Sequence, residues 1–202
     1  MEDAFLDQLQ SFENRCPPGI RLAGRRLAQY GGSAPQNSRT MGSLAARQAG
    51  YQLLSEVGAA SRLDQHPNRP AAFPQGYVGS IAHDSAFAVV ALASHSEVAA
   101  VGIDIEPATP LPPECFETVT TPRERERIRD LVEARLLFCA KEAVFKAMNA
   151  EGGAWLEHTD VEVDIDSETA IAAGAILLEL RLSRGPTLLA LAMLLPSVAQ
   201  CS

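Results

Sequence analysis

The sequence predicts a mixed fold, α+β or α/β, on two grounds: helical stretches alternate with apolar β runs, and the last two runs are joined by the turn-like Arg184-Gly185-Pro186, which makes an antiparallel hairpin. Residues 3–12 read as a short amphipathic helix, and GIRLAGRRLAQYG (19–31) as a strand or hairpin with imperfect alternation. After GGSAPQNS, residues 40–59 are rich in Ala, Leu and Gln and stop near Gly58, as a helix does. Pro67, Pro70 and Pro74 make 61–77 a connecting loop. FAVVALAS (87–94) and EVAAVGIDIE (97–106) are β runs joined by a tight turn. ATPLPPE (108–114) is a second loop, and a helical pattern then runs from Pro122, a residue suited to a first turn, to Asn149. VEVDID (161–166), AILLELRLS (175–183) and TLLALAMLL (187–195) complete the strands.

At 202 residues and 47% hydrophobic, the chain can bury one large core or two small ones. Its net charge of -8 is unevenly spread: residues 1–100 carry eight Lys/Arg against eight Asp/Glu, and residues 101–202 carry nine against seventeen. The shift suggests a boundary between halves near residues 95–100. From residue 14 to 55 there are six arginines and no acid, a local basic segment that is read either as a solvated face or as an anion site for phosphates. The acidic whole and the few aromatics among those arginines argue against nucleic acid. No run approaches the roughly 18 apolar residues of a membrane helix, and MEDAFLDQLQSFENR is acidic rather than a basic leader, so the expected location is the cytoplasm. Cys16, Cys115, Cys139 and Cys201 are scattered and expected to be free thiols.

In VGIDIE, strand alternation sends Asp104 and Glu106 to one face and Ile103 and Ile105 to the other. Such a pair is either a solvated acidic edge or a pair of oxygen ligands for Mg²⁺ or Mn²⁺. VEVDID alternates in the same way but lies in polar sequence and reads as solvated, whereas Asp104 and Glu106 end an apolar strand, where an acid needs a partner. In FCAKEAVFKA (138–147), Glu142 and Lys146 sit at i and i+4 in an apolar helix. They read as an ion pair, or Glu142 reads as a third oxygen ligand. His83 in GSIAHD (79–84) is more often a structural hydrogen-bonder than a functional group. No G-x-S-x-G elbow, P-loop or G-x-G-x-x-G is present, which removes support for serine hydrolases and for nucleoside triphosphate and dinucleotide folds.

Together GSIAH, VGIDIE and, some thirty residues on, FCAKEAVFKA resemble the 4'-phosphopantetheinyl transferase superfamily, most of all its long-chain branch that activates peptide, siderophore and polyketide synthases. The resemblance implies two similar halves, 1–97 and 98–202, forming a pseudo-dimeric monomer. It implies transfer of the 4'-phosphopantetheine group of coenzyme A to a serine of an apo acyl or peptidyl carrier protein, releasing adenosine 3',5'-bisphosphate. Residue by residue, it implies that Asp104, Glu106 and Glu142 hold Mg²⁺, that Glu142 takes the serine proton directly or through a metal-bound water, and that Lys146 lies on the phosphates. Arg47 and Arg69 are implied on coenzyme A phosphates, His83 near the 3'-phosphate, and Arg39 beside them. Three positions depart from the pattern: Ala82 for a usual serine, Asp84 for a small residue, and Ser43 for a common arginine. Ala82 and Ser43 would favour the rival reading, a non-catalytic module that keeps affinity for coenzyme A or a carrier. Arg123, Arg125, Arg127, Arg129 and Arg135 are the candidate docking cations for the carrier.

Overall fold

The computed structural model describes residues 2–27, 38–59, 63, 71–149 and 156–196, with the side chains of 38 and 39 left aside. Helix α1 (Glu2–Glu13) buries Phe5, Leu9 and Phe12, one face at i, i+4 and i+7, and Phe5 stacks on Phe87 with ring centroids 4.1 Å apart. Strand β1 (Arg21–Arg26) leads to α2 (Ser38–Glu56), which ends two residues before Gly58, in the left-handed region at φ +74°. GSIAH, unassigned in the sequence reading, lies in strand β2 (Tyr77–His83), and FAVVALAS is β3 (Phe87–Ser94). The first sheet runs β1-β3-β2, all antiparallel.

The turn after β3 does not close a hairpin. Both edges of β3 are taken by β1 and β2, so β4 (Ala100–Pro107) starts a second sheet and pairs antiparallel with the strand farthest from it in sequence. Between them lie a 3₁₀ turn at Pro113–Cys115, then α3 (Phe116–Val119), α4 (Pro122–Arg125) and α5 (Leu131–Asn149). The single helix expected over 122–149 is thus two. Thr121 and Glu124 form a capping box that starts α4, and Asp130 Oδ1 accepts from the amides of Val132 and Glu133 to start α5. Strands β5 (Val161–Asp164), β6 (Thr169–Ala172), β7 (Ile176–Arg184) and β8 (Thr187–Leu194) complete a sheet ordered β4-β8-β7-β6-β5. β6 went unread because four residues carry too little alternation; β5 also stops at Asp164, where its Oδ1 accepts from Asp166 and Ser167 amides to make the turn.

The layers follow from alternation. Val101, Ile103 and Ile105 of β4 and Leu189, Leu191 and Met193 of β8 share a core with Val89 and Ala91 of β3 and with α1. The opposite faces are covered by helices: α2 lies on the first sheet through Leu53, Leu54, Val90 and Leu92, and α5 lies on the second through Ala140, Val144, Leu188 and Ala190. Gly102 is on the α5 side, and a Cβ there would stand 1.9 Å from the Ala143 carbonyl oxygen and 2.6 Å from the Ala147 amide nitrogen. Helix and strand backbones therefore touch at Gly102, and the next residues on that face, Asp104 and Glu106, are delivered against α5. Gly102→Ala is expected to lower the unfolding free energy by about 3 kcal/mol, the upper range for overpacking and read as a lower urea midpoint, because the clash is with backbone that cannot rotate away. An unchanged midpoint would mean that α5 does not sit as described.

Candidate active site

One stripe of α5 meets the acidic row of β4. Arg135, Cys139, Glu142 and Lys146, spaced by about one helical turn, run along the side facing the strand and the adjacent cavity. Arg135 Nη1 donates to Glu106 Oε2 at 2.9 Å, and its other nitrogens donate to the Thr109 and Pro110 carbonyls. Lys146 Nζ donates to Asp104 Oδ1 at 2.6 Å and to the Ile103 carbonyl at 3.2 Å. Asp104 is 7% exposed, and its Oδ2 is buried without a hydrogen bond. Burial pushes its carboxyl above the ordinary range; Lys146 pulls it down and the Glu142 charge adds to the rise. Burial also raises Glu106, which Arg135 opposes and the charges of Asp104 and Asp84 reinforce. Beneath them the Cys139 thiol is wholly buried and pushed up by that burial and by the two acids.

Glu142 and Lys146 also line a cavity of about 790 Å³ walled by Phe73, Tyr77–Ile81 of β2, Phe145 and Leu156–His158. Asp104 and Glu106 lie outside that lining, linked to it through Lys146. Glu142 faces His158, whose Nε2 is 3.3 Å from Oε1. The three carboxylates predicted from sequence thus fall in one electrostatic neighbourhood, each set against a cation or an imidazole. Among the described residues no three acidic, histidine or cysteine groups converge closely enough to hold an ion. The unpartnered Asp104 Oδ2 and an all-oxygen donor set nevertheless suit a hard divalent cation.

The remaining candidates lie on the first sheet's side. Arg47 is 5% exposed in α2 and donates to the Ser43 hydroxyl and carbonyl. His83 ends β2, its ring packed so close to Gly42 that a side chain there would collide with it. Neither lines the cavity. The side chain of Arg39, and Arg69 altogether, lie outside the described residues. Of the departures, Ala82 faces the apolar core shared by the sheets rather than the cavity. Asp84 accepts from the Ala86 and Phe87 amides, both at 2.7 Å, and so caps the β2–β3 turn.

The five arginines read as docking cations are engaged within the chain. Arg127 pairs with Asp164 at 2.8 Å, Arg123 approaches Glu162 at 3.8 Å, and Arg125 donates to Thr120 and the Glu117 carbonyl. Arg129 and Arg184 enclose Glu133, holding its carboxyl down at about 2, and Arg135 belongs to Glu106. Sequence reasoning missed Arg135 and His158 as members of the site. The spacing of Arg135 from Glu142 and Lys146 would have exposed the first; His158 follows an irregular stretch and left no periodic signal.

Residues 100–186 match the family model of the 4'-phosphopantetheinyl transferase superfamily, and residues 32–93 match that of the 4'-phosphopantetheinyl transferase N-terminal domain. The chain is 36% identical over 112 residues to the 4'-phosphopantetheinyl transferase Svp of Streptomyces mobaraensis, covering 52% of this chain and 46% of that protein. It is 35% identical over 104 residues to Npt of Nocardia iowensis (50% and 47%) and 31% identical over 102 residues to PptT of Mycobacterium tuberculosis (48% and 45%), both likewise named 4'-phosphopantetheinyl transferases. The matches span about half the length of these curated relatives. With both models matched in chain order, and with the motif carboxylates delivered to one helix face, the chain belongs to the 4'-phosphopantetheinyl transferase superfamily.

Proposed function

We propose that the protein transfers the 4'-phosphopantetheine group of coenzyme A to the hydroxyl of a serine in an apo acyl or peptidyl carrier protein, releasing adenosine 3',5'-bisphosphate. The observation that carries this reading is Lys146, which lines the cavity while bonded to Asp104, beside Glu142 on the same wall. In this reading the serine oxygen attacks the phosphorus that bears the pantetheine, and its proton passes to the Glu142 carboxylate. The bond to the departing adenosine phosphate breaks with its electron pair, and Lys146 turns its ammonium to the charge left there. Asp104, Glu106 and Glu142 would hold Mg²⁺, with Mn²⁺ as a substitute, and the ion would supply charge neutralisation at the pyrophosphate. Phosphoryl transfer asks for positioning and charge more than for covalent catalysis, and these residues provide both.

The two halves divide the work: 1–97 contributes Arg39, Arg47, Arg69 and His83 to coenzyme A phosphates, and 98–202 contributes the carboxylates and α5. The core shared by Val89 and Ala91 of β3 with Val101 and Ile103 of β4 supports their adjacency. Of the two departures that favour the rival binding module, Ala82 faces the core rather than the cavity, and Ser43 accepts from Arg47. The carrier belongs to a siderophore, peptide or polyketide synthase, or to fatty-acid synthesis, and the protein works as a monomer in the cytoplasm. No helix among the described residues is long and apolar enough to cross a membrane. The test is the intact mass of apo carrier proteins incubated with the protein, coenzyme A and Mg²⁺. A gain of one phosphopantetheinyl group, lost with chelator and reduced by about a hundred-fold or more in Glu142→Gln, is the expected result. Coenzyme A binding with no gain on any carrier would favour the binding module.

A further inference from the structure

His158 is held on α5 from two directions. Its ring stacks on Phe138, with centroids 5.6 Å apart and 21° between planes, and meets Phe145 edge-on at 5.1 Å and 74°. Its backbone carbonyl accepts from the buried Lys141 ammonium at 2.7 Å. Both ring and main chain are therefore fixed to the helix that carries Glu142. The ring's Nε2 is buried, makes no hydrogen bond, and stands 3.3 Å from Glu142 Oε1. Among the described residues no other side chain bonds the Glu142 carboxylate, whereas Asp104 has Lys146 and Glu106 has Arg135.

We propose that His158 is a positioning residue for Glu142, an imidazole whose Nε2–H fixes the carboxylate on the cavity wall. The inference rests on the reading of Glu142 as proton acceptor and deepens it. A glutamate on a helix rotates about three side-chain bonds, and an acceptor that samples several directions meets the substrate hydroxyl only part of the time. The two phenylalanines remove the ring's own freedom, and Lys141 removes that of its backbone, so a small turn of Glu142 onto the Nε2–H aligns the acceptor at little entropic cost. The nitrogen bearing the proton is set by what faces it, and here Nε2 faces a carboxylate.

The test compares His158→Phe, which refills the slot between the phenylalanines, with His158→Gln, which keeps an N–H donor. His158→Phe is expected to lower kcat about ten- to a hundred-fold with the KM for coenzyme A unchanged and the melting temperature at or above the parent value. His158→Gln should recover part of the loss, which a packing role would not allow. Independently of turnover, a long-range ¹H–¹⁵N spectrum of the parent should show the Nε2–H tautomer at His158, and Glu142→Ala should displace that signal. Parent kcat in His158→Phe, or a His158 signal indifferent to Glu142→Ala, overturns the proposal. If the parent transfers to no carrier, the reading of the function fails, and the ¹⁵N comparison alone decides the role of His158.

Discussion

Asp104→Asn is expected to slow transfer by about a hundred- to a thousand-fold while leaving the fold as stable as the parent, or more so, at neutral pH. The reason is that Asp104 is placed at a cost to the fold. Its carboxyl is buried, one oxygen has no hydrogen bond, and Glu142 adds like charge, so the folded pKa lies above the unfolded one despite Lys146. In acid, where both states are protonated, no penalty exists. As pH rises through the ordinary aspartate range, near 4, the unfolded chain ionises first and the folded state loses ground, until the folded carboxyl ionises too. Asparagine never ionises and can still accept from Lys146 through its carbonyl. Urea unfolding at pH 3 and pH 7 should therefore show a gap between variant and parent that is absent in acid and present at neutrality. A variant less stable than the parent at pH 7 would mean that the Lys146 pair outweighs the burial, and a variant with full transfer would remove Asp104 from the site.

The same residues show which parts of the site could be read from the sequence. Asp104 and Glu106 were legible because a strand's period of two is local, and Glu142 and Lys146 because i and i+4 share a helix side. The sheet that β4 joins was not legible: the apolar runs at 87–94 and 97–106 look like hairpin arms, and only the occupied edges of β3 send the second to β8. The pairing of Arg135 with Glu106 was not legible because that partner lies twenty-nine positions back, on another element. Lys141 had no assigned role at all. Had residues 122–149 formed one helix, Glu124 and Lys141 would be about 25 Å apart along its axis. The break between Arg125 and Leu131 folds α4 back and puts that carboxylate within 2.8 Å of the ammonium.

Breaking that pair should carry the largest stability effect in the chain. Lys141 is 0% exposed; its ammonium donates to Glu124 at 2.8 Å, to the Val119 carbonyl at 2.8 Å and to the His158 carbonyl at 2.7 Å. Glu124 in turn accepts from the amides of Thr121 and Val163, each at 2.7 Å. Two side chains therefore join α3, α4, α5, β5 and the turn bearing His158, with every bond charge-assisted. Removing one partner strands the other charge in the core, so Glu124→Gln is expected to lose about 3–5 kcal/mol of unfolding free energy. The double replacement Glu124→Leu with Lys141→Met should lose less than the two single losses added together. Burial already holds the Lys141 pKa below its unfolded value, with Glu124 opposing the shift. The unfolded chain then binds more protons, so stability rises with pH across the window between the depressed folded value and the ordinary lysine range near 10.4. Without Glu124 that window widens, because the folded lysine gives up its proton sooner. Glu124→Gln should accordingly regain part of its deficit between neutral pH and about pH 10, as followed by urea midpoints. A deficit independent of pH would assign the loss to the Thr121 and Val163 amides rather than to the buried charge.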